Sequence, residues 1–271
     1  MTQATESAAG ARRPSVTIFM PTLNEVAGVR AIIPRIPPEW YDELIVVDGG
    51  STDGTTEYLR GRGVRVILQS KRGVVSAYNE GFRASTGEIF ITFTPDGNCI
   101  TELIPDLIRE ACKGYDLVFV SRYLPPARSH DDGTMTAIGN FVFNRAVNLL
   151  FGGRFTDVLG GFRAYRRSAV LAMALPTLPE ETWLNRRYDL LNTWEVGGCI
   201  RAAKLKLRTH EIPGDEPKRI GGESKISILR NGSMIVFQIL YELWAGLGFA
   251  NRPLAADSRA EAPAPLDQRQ R

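Results

Sequence analysis

Leu44-Ile-Val-Val-Asp-Gly-Gly-Ser-Thr-Asp-Gly-Thr55 joins a short apolar run to a polar, glycine-rich one. Four apolar residues, three of them β-branched, stopped by Asp and Gly read as a buried strand, and the residues after them as a strand-end loop entering a helix. The same grammar recurs on both sides of this stretch. Val16 to Met20, Val64 to Leu68, Ile89 to Thr94 and Asp116 to Val120 also read as strands. Between them, Glu25 to Ile33, Gly54 to Arg60, Val74 to Ala84 and Glu102 to Cys112 carry apolar residues at helical spacing. This alternation predicts an α/β fold, a mostly parallel central sheet flanked by helices, with ligands at the carboxyl ends of the strands.

Beyond Ser121 the pattern turns mainly helical. Gly139 to Phe151 and Trp183 to Lys204 read as helices, Lys206 to Ile212 as a strand, and Met234 to Ala250 as an apolar C-terminal helix. The expected organisation is a disordered tail over 1–14, one α/β domain over 15–225, a C-terminal amphipathic or apolar helix over 226–251 on the acceptor side, and a second disordered tail over 252–271.

With 33 basic and 30 acidic side chains the net charge is +3, too balanced for a protein that mainly grips nucleic acid. The three cysteines form no CxxC pair and there are two histidines, which argues against a structural zinc cluster or a disulfide framework. The first fourteen residues hold no apolar signal core, so the expected location is cytoplasmic. Gln238 and Glu242 interrupt the C-terminal apolar run, which falls short of the roughly 20 clean residues that span a bilayer. It reads as a core or interface helix, or as one lying on a membrane surface at its cytoplasmic face.

Polar groups concentrate in three loops: Pro21 to Glu25, Asp48 to Thr55 and Pro95 to Asn98. Asp48 stands at a strand end, where a carboxylate can accept from a ribose hydroxyl or a base N–H. Ser51 and Asp53 suit turn and N-cap roles equally well. Asp96-Gly97-Asn98 can hold a divalent cation against a diphosphate or form a simple turn. Arg72 can approach the same phosphates. No GxGxxG follows a strand, which argues against a dinucleotide oxidoreductase.

Taken together, PTLNE, VDGGSTDGT, KRGVVSAYNEGFRASTGE and FTPDGN resemble the family 2 glycosyltransferases of the GT-A, Rossmann-like fold. DLVFVSRY, TDVLGGFRAYRR and GGESK are similar to the branch that contains dolichyl-phosphate mannose synthase and polyprenyl-phosphate glycosyltransferases. The resemblance runs from about Val16 to Lys225. It implies an inverting, metal-dependent hexosyltransferase that uses Mg²⁺ or Mn²⁺ and a UDP- or GDP-sugar, with polyprenyl phosphate as acceptor. Pro21, Leu23, Glu25, Asp48, Asp53, Arg72, Asp96 and Asn98 would bind the nucleotide sugar, and Asp96 and Asn98 the metal. Asn98 stands where the family's DxD motif has its second carboxylate, and Ile100 where the branch often has Gln.

Arg122, Arg163, Arg219 and Lys225 are the candidates for holding an acceptor phosphate, since guanidinium groups suit bidentate phosphate contacts. A soluble hydroxyl acceptor is the alternative; it requires a base, for which Asp157 is the first choice. The candidate catalytic set is therefore Asp96, Asp157 and Arg163. A catalytically silent nucleotide-sugar binding module is a further alternative, kept open by Asn98. Glu195 and Arg201 read as helix surface, and His130, Asp131 and Asp132 as a solvated loop.

Overall fold

The computed structural model describes residues 12–177, 193–220 and 228–250. In chain order the strands are β1 (Val16–Thr22), β2 (Glu43–Asp48), β3 (Arg65–Leu68), β4 (Ile89–Thr92), β5 (Leu117–Ser121), β6 (Arg163–Arg166) and β7 (Thr209–Pro213). The helices are α1 (Val26–Ile32), α2 (Thr55–Gly61), α3 (Val74–Ala84), α4 (Ile104–Cys112), α5 (Thr134–Phe151), α6 (Arg167–Ala172), α7 (Gly198–Lys204) and α8 (Ile228–Ala245). A π-helical turn, Thr193–Gly197, leads into α7.

The strands form one sheet in the order β3-β2-β1-β4-β6-β5-β7. All neighbouring pairs are parallel except those made by β6, which runs antiparallel to β4 and β5. Alternation along β1 divides the core: Val16, Ile18 and Met20 pack into one cluster with Ile91, Phe93 and Leu107, while Phe19 points to the other face among Tyr78, Phe82, Phe90 and Trp194. Trp194 ties the late helical segment to the first half. Its ring centroid lies 5.5–5.8 Å from those of Tyr78, Phe82, Phe90 and Tyr165, and its Nε1–H donates to Asn79 Oδ1 at 2.8 Å. Burying four aromatic contacts and satisfying the indole donor makes this a strong anchor.

The predicted strands find counterparts, and so do the predicted helices as far as the described residues reach. Strand β6 is the addition, because Arg-Ala-Tyr-Arg carries charge on a central strand. Arg163 has no exposed surface, and its charge is satisfied by backbone carbonyls. Helix α5 begins five residues earlier than expected, at Thr134. Arg201, expected on a helix surface, is buried and paired with Glu242 of α8 at 2.8 Å, which fixes α8 against α7. The tails at 1–11 and 252–271, most of the expected helix before Thr193, and Lys225 lie outside the described residues.

Candidate functional site

Parallel strands bring their carboxyl ends to one edge of the sheet, and β6, being antiparallel, contributes its start to the same edge. The loops after β1 and β2 are knitted together there. Asp48 Oδ1 accepts from the N–H groups of Gly50 and Ser51, and Oδ2 from the hydroxyls of Thr22 and Ser51, at 2.5–3.0 Å. Asp53 accepts from Val26 N at the start of α1 and from Thr55 N at the start of α2, at 2.9 and 3.0 Å. Asn24, at φ +55°, accepts from Thr52 N through its side chain and donates its own N–H to Ser51 Oγ. Asp48 therefore shapes its own loop, while Asp53 bonds the first N–H groups of α1 and α2 in the manner of its N-cap reading. Leu23 is exposed, Pro21 and Glu25 are half-buried beside them, and Arg72 is exposed ahead of α3. These residues form the rim of one half of the edge.

The other half is a cavity of about 160 Å³. Its wall is drawn from the loop after β4 (Asp96, Asn98), the end of β5 (Arg122), the start of β6 (Gly160, Gly161), the π-helical turn (Glu195) and the loop after β7 (Glu216, Arg219). Helix α1 approaches the β4 loop so closely that a Cβ on Gly28 would lie 1.9 Å from Pro95 O. Only glycine fits there. Gly97, at φ +92°, is required for a second reason as well: Ile220 Cγ1 sits 2.6 Å from where its Cβ would be. The strap after β7 thus lies on the Asp96–Gly97 turn, with Ile220 N donating to Asp96 O at 2.7 Å and Arg219 Nη2 2.9 Å from Asp96 Oδ2.

Arg122 is clamped from two sides. Asp157 receives Nε at 2.7 Å and Nη2 at 2.9 Å, and Glu216 receives Nη1 at 3.1 Å. Burial works against the Arg122 charge, but Asp157 and then Glu216 outweigh it and hold the guanidinium firmly protonated. Burial would likewise raise the Asp157 carboxyl; Arg122 overcomes this and leaves its pKa lowered. Glu211 carries the loop from beneath, accepting from the N–H groups of Thr156 and Asp157, and burial raises its carboxyl. Burial also pushes the Cys99 thiol in the cavity wall up to about 12, so it stays protonated and unreactive.

Two of the sequence-derived assignments change. Asp157, expected as a base, has no exposed surface, and its oxygens are taken up by Arg122 and by the N–H groups of Leu159 and Gly160. It positions Arg122. Arg163, expected to touch an acceptor phosphate, is wholly buried and donates to the carbonyls of Val158, Gly160 and Glu195 at 2.5–2.9 Å. It stitches the β6 loop to the π-helical turn, and it is not part of the cavity wall. Asp96, Asn98, Arg122 and Arg219 line one cavity. Glu195 and Glu216 were missed. Glu216 follows strand β7, so the strand-end rule applied to Lys206–Ile212 would have found it; Glu195 sits in a helical stretch that carries no such signal.

The residues fit a hard divalent cation. Asp96 offers a carboxylate, and the side-chain oxygen of Asn98 is buried with no hydrogen-bond partner. An oxygen set of one carboxylate and one amide, completed by diphosphate oxygens and water, suits Mg²⁺ or Mn²⁺. Among the described residues no group of three His, Cys, Asp or Glu is placed to hold a metal without such help.

A mostly parallel sheet whose carboxyl edge joins a lone carboxylate turn to a guanidinium-lined cavity places the protein in the GT-A-like class of α/β folds. The chain belongs to glycosyl transferase family 2, whose profile matches residues 17–172, and it is a glycosyltransferase. It is 27% identical over 230 residues to glycosyltransferase AglJ of Haloferax volcanii, covering 83% of this chain and 71% of that one. It is 28% identical over 240 residues to the undecaprenyl-phosphate 4-deoxy-4-formamido-L-arabinose transferase of Aeromonas hydrophila, covering 84% of this chain and 66% of that one. The fold is similar to that of glucosyl-3-phosphoglycerate synthase from Mycobacterium tuberculosis, solved with Mn²⁺, UDP and phosphoglyceric acid. That likeness has a TM-score of 0.64 at 21% identity, over 89% of this chain and 80% of that one.

Proposed function

We propose that the protein transfers a sugar from a UDP- or GDP-sugar to a polyprenyl phosphate, inverting the anomeric carbon in one in-line displacement. One observation carries this reading: Asp96 shares its cavity with two guanidinium groups, Arg122 and Arg219. The acceptor named for the Aeromonas relative and the nucleotide and metal named for the structural relative support the two ends of the reaction.

The chain's own groups divide the work. Pro21, Leu23, Glu25 and Arg72, on the loops shaped by Asp48 and Asp53, receive the nucleotide. Asp96 and the Asn98 side-chain oxygen would hold Mg²⁺ or Mn²⁺, which when bound supplies positive charge to the departing diphosphate. Arg122, fixed by Asp157 and Glu216, and Arg219, at the tip of the β7 strap, hold the acceptor phosphate. That phosphate is already anionic near neutral pH, so no protein base need remove a proton. The test is nucleoside diphosphate release from UDP- and GDP-sugars with a short-chain polyprenyl phosphate and Mg²⁺ or Mn²⁺. Release that depends on the acceptor supports the proposal; none with any donor contradicts it.

Glu195 favours a second reading, since it is a carboxylate in the cavity wall. With a hydroxyl acceptor it, and not Asp157, would be the base. Glu195→Gln would then abolish turnover, whereas transfer to a phosphate retains it.

A further inference from the structure

Helix α5 is turned inside out. Asn140, Asn144 and Asn148, one turn apart, face the protein. Asn144 donates to Thr156 O at 2.5 Å and accepts from Val158 N at 2.8 Å, Asn148 bonds both O and N of Phe155 at 2.8 Å, and Asn140 donates to Tyr123 and Asp132. The apolar stripe therefore faces out. Phe141 is 62% exposed and Leu149 87%. On α8 the pattern continues with Leu240, Leu243 and Trp244, the last 81% exposed. The two helices adjoin: Phe143 of α5 lies beside Gly232 of α8, and the rings of Phe151 and Phe249 both lie within 5.5 Å of the Lys204 amine. Most of the exposed large apolar side chains among the described residues belong to this one face. A water-facing helix pair arranges its polar residues the other way.

Charge selects the occupant. Among the described side chains of the two helices, Arg145 is the exposed charge, lying 5.4 Å from the centroid of Phe141; Glu242 is wholly buried between Arg201 and Lys204. A second copy packed on this face would bury Arg145 against apolar groups with no carboxylate from either helix to meet it. The phosphates of a lipid headgroup layer supply that counter-charge, and a Trp beside an apolar stripe suits the same boundary.

We propose that α5 and α8 together form a docking face for an anionic bilayer surface. No described helix is long and apolar enough to cross a membrane, so the contact is peripheral. The proposal deepens the polyprenyl-phosphate reading, because Asn144 brackets the loop whose Asp157 fixes Arg122 at the cavity. A helix resting on lipid thereby carries the group assigned to the lipid-linked phosphate.

Flotation of the full chain with vesicles of phosphatidylcholine plus phosphatidylglycerol, containing no polyprenyl phosphate, tests it. The wild type is expected to float with these vesicles and much less with pure phosphatidylcholine. Leu149→Glu and Trp244→Glu should each lower the bound fraction about tenfold or more, while Leu68→Glu, at an exposed site on edge strand β3, should leave it unchanged. Circular dichroism and turnover of a short water-soluble prenyl phosphate show that the variants are folded. Wild type that stays at the bottom with anionic vesicles overturns the proposal, as does a dimer in light scattering that Leu149→Glu splits into monomers. Flotation does not depend on sugar transfer: transfer without flotation sinks the docking face alone, and flotation without transfer sinks the acceptor reading alone.

Discussion

Arg122 and Asp157 meet in a two-point ion pair, with Asp157 wholly buried and the guanidinium opening onto the cavity. Breaking a buried pair leaves one charge uncompensated, which typically costs about 3–5 kcal/mol. Asp157→Asn should lower stability by that order in urea unfolding. It should reduce turnover through Arg122, without removing an ionisation from the pH profile as loss of a base would. The Asp157 pKa is lowered on folding. Its contribution to stability is therefore complete above the unfolded carboxylate value of about 3.9. It is lost as the pH falls through the still lower folded value, so the wild type should lose more stability than Asp157→Asn over that acid range.

Arg219 sits 2.9 Å from Asp96, so each group is poised by the other. Asp96→Asn is expected to reduce kcat about 10²–10³-fold, the order seen when one group that stabilises transition-state charge is removed. Arg219→Ala should act mainly on the acceptor, raising its KM about 10–100-fold, the worth of one hydrogen bond to a charged group. Steady-state kinetics with donor and acceptor varied separately distinguish the two.

Asn98 donates to Asp131 at 3.0 Å and to Glu216 at 3.4 Å. Asn98→Asp would set three carboxylates together and should lower the melting temperature in metal-free buffer. Added Mn²⁺ should then stabilise this variant more than the wild type, since the site gains a second charged oxygen ligand. Thermal unfolding with and without Mn²⁺, in the absence of donor, is the measurement.

Gly28 leaves no room for a Cβ against Pro95 O. Gly28→Ala should cost about 1–3 kcal/mol, as overpacking does. It should also raise the KM for the donor, because the backbone that must shift carries Asp96. A variant as stable as the wild type would show that α1 does not set the position of this loop.

The first half of the fold was legible because β1, β2 and β4 are buried on both faces, so their apolar runs and the Asp and Gly that stop them survive as a local signal. Strand β6 was not, since Arg163 enters a central strand only because carbonyls from Val158, Gly160 and Glu195 surround it, a fact of tertiary structure. Asp48 illustrates a middle case. Its position at a strand end was plain, but only the fold shows that its four contacts lie within its own loops. The sequence also marked Gly139 to Phe151 as a helix without revealing which face it turns inward; the carbonyls and N–H groups of the 155–158 loop, by claiming Asn144 and Asn148, decide that.

The proposed reaction requires that the cavity receive a phosphate and not a hydroxyl. The most direct measurement is kcat/KM for a short-chain polyprenyl phosphate against the matching polyprenol, with the same donor and Mg²⁺. Two charged contacts, from Arg122 and Arg219, predict a preference for the phosphate of about 10²–10⁴-fold. Equal or better transfer to the alcohol would rule out a phosphate acceptor held by Arg122 and Arg219.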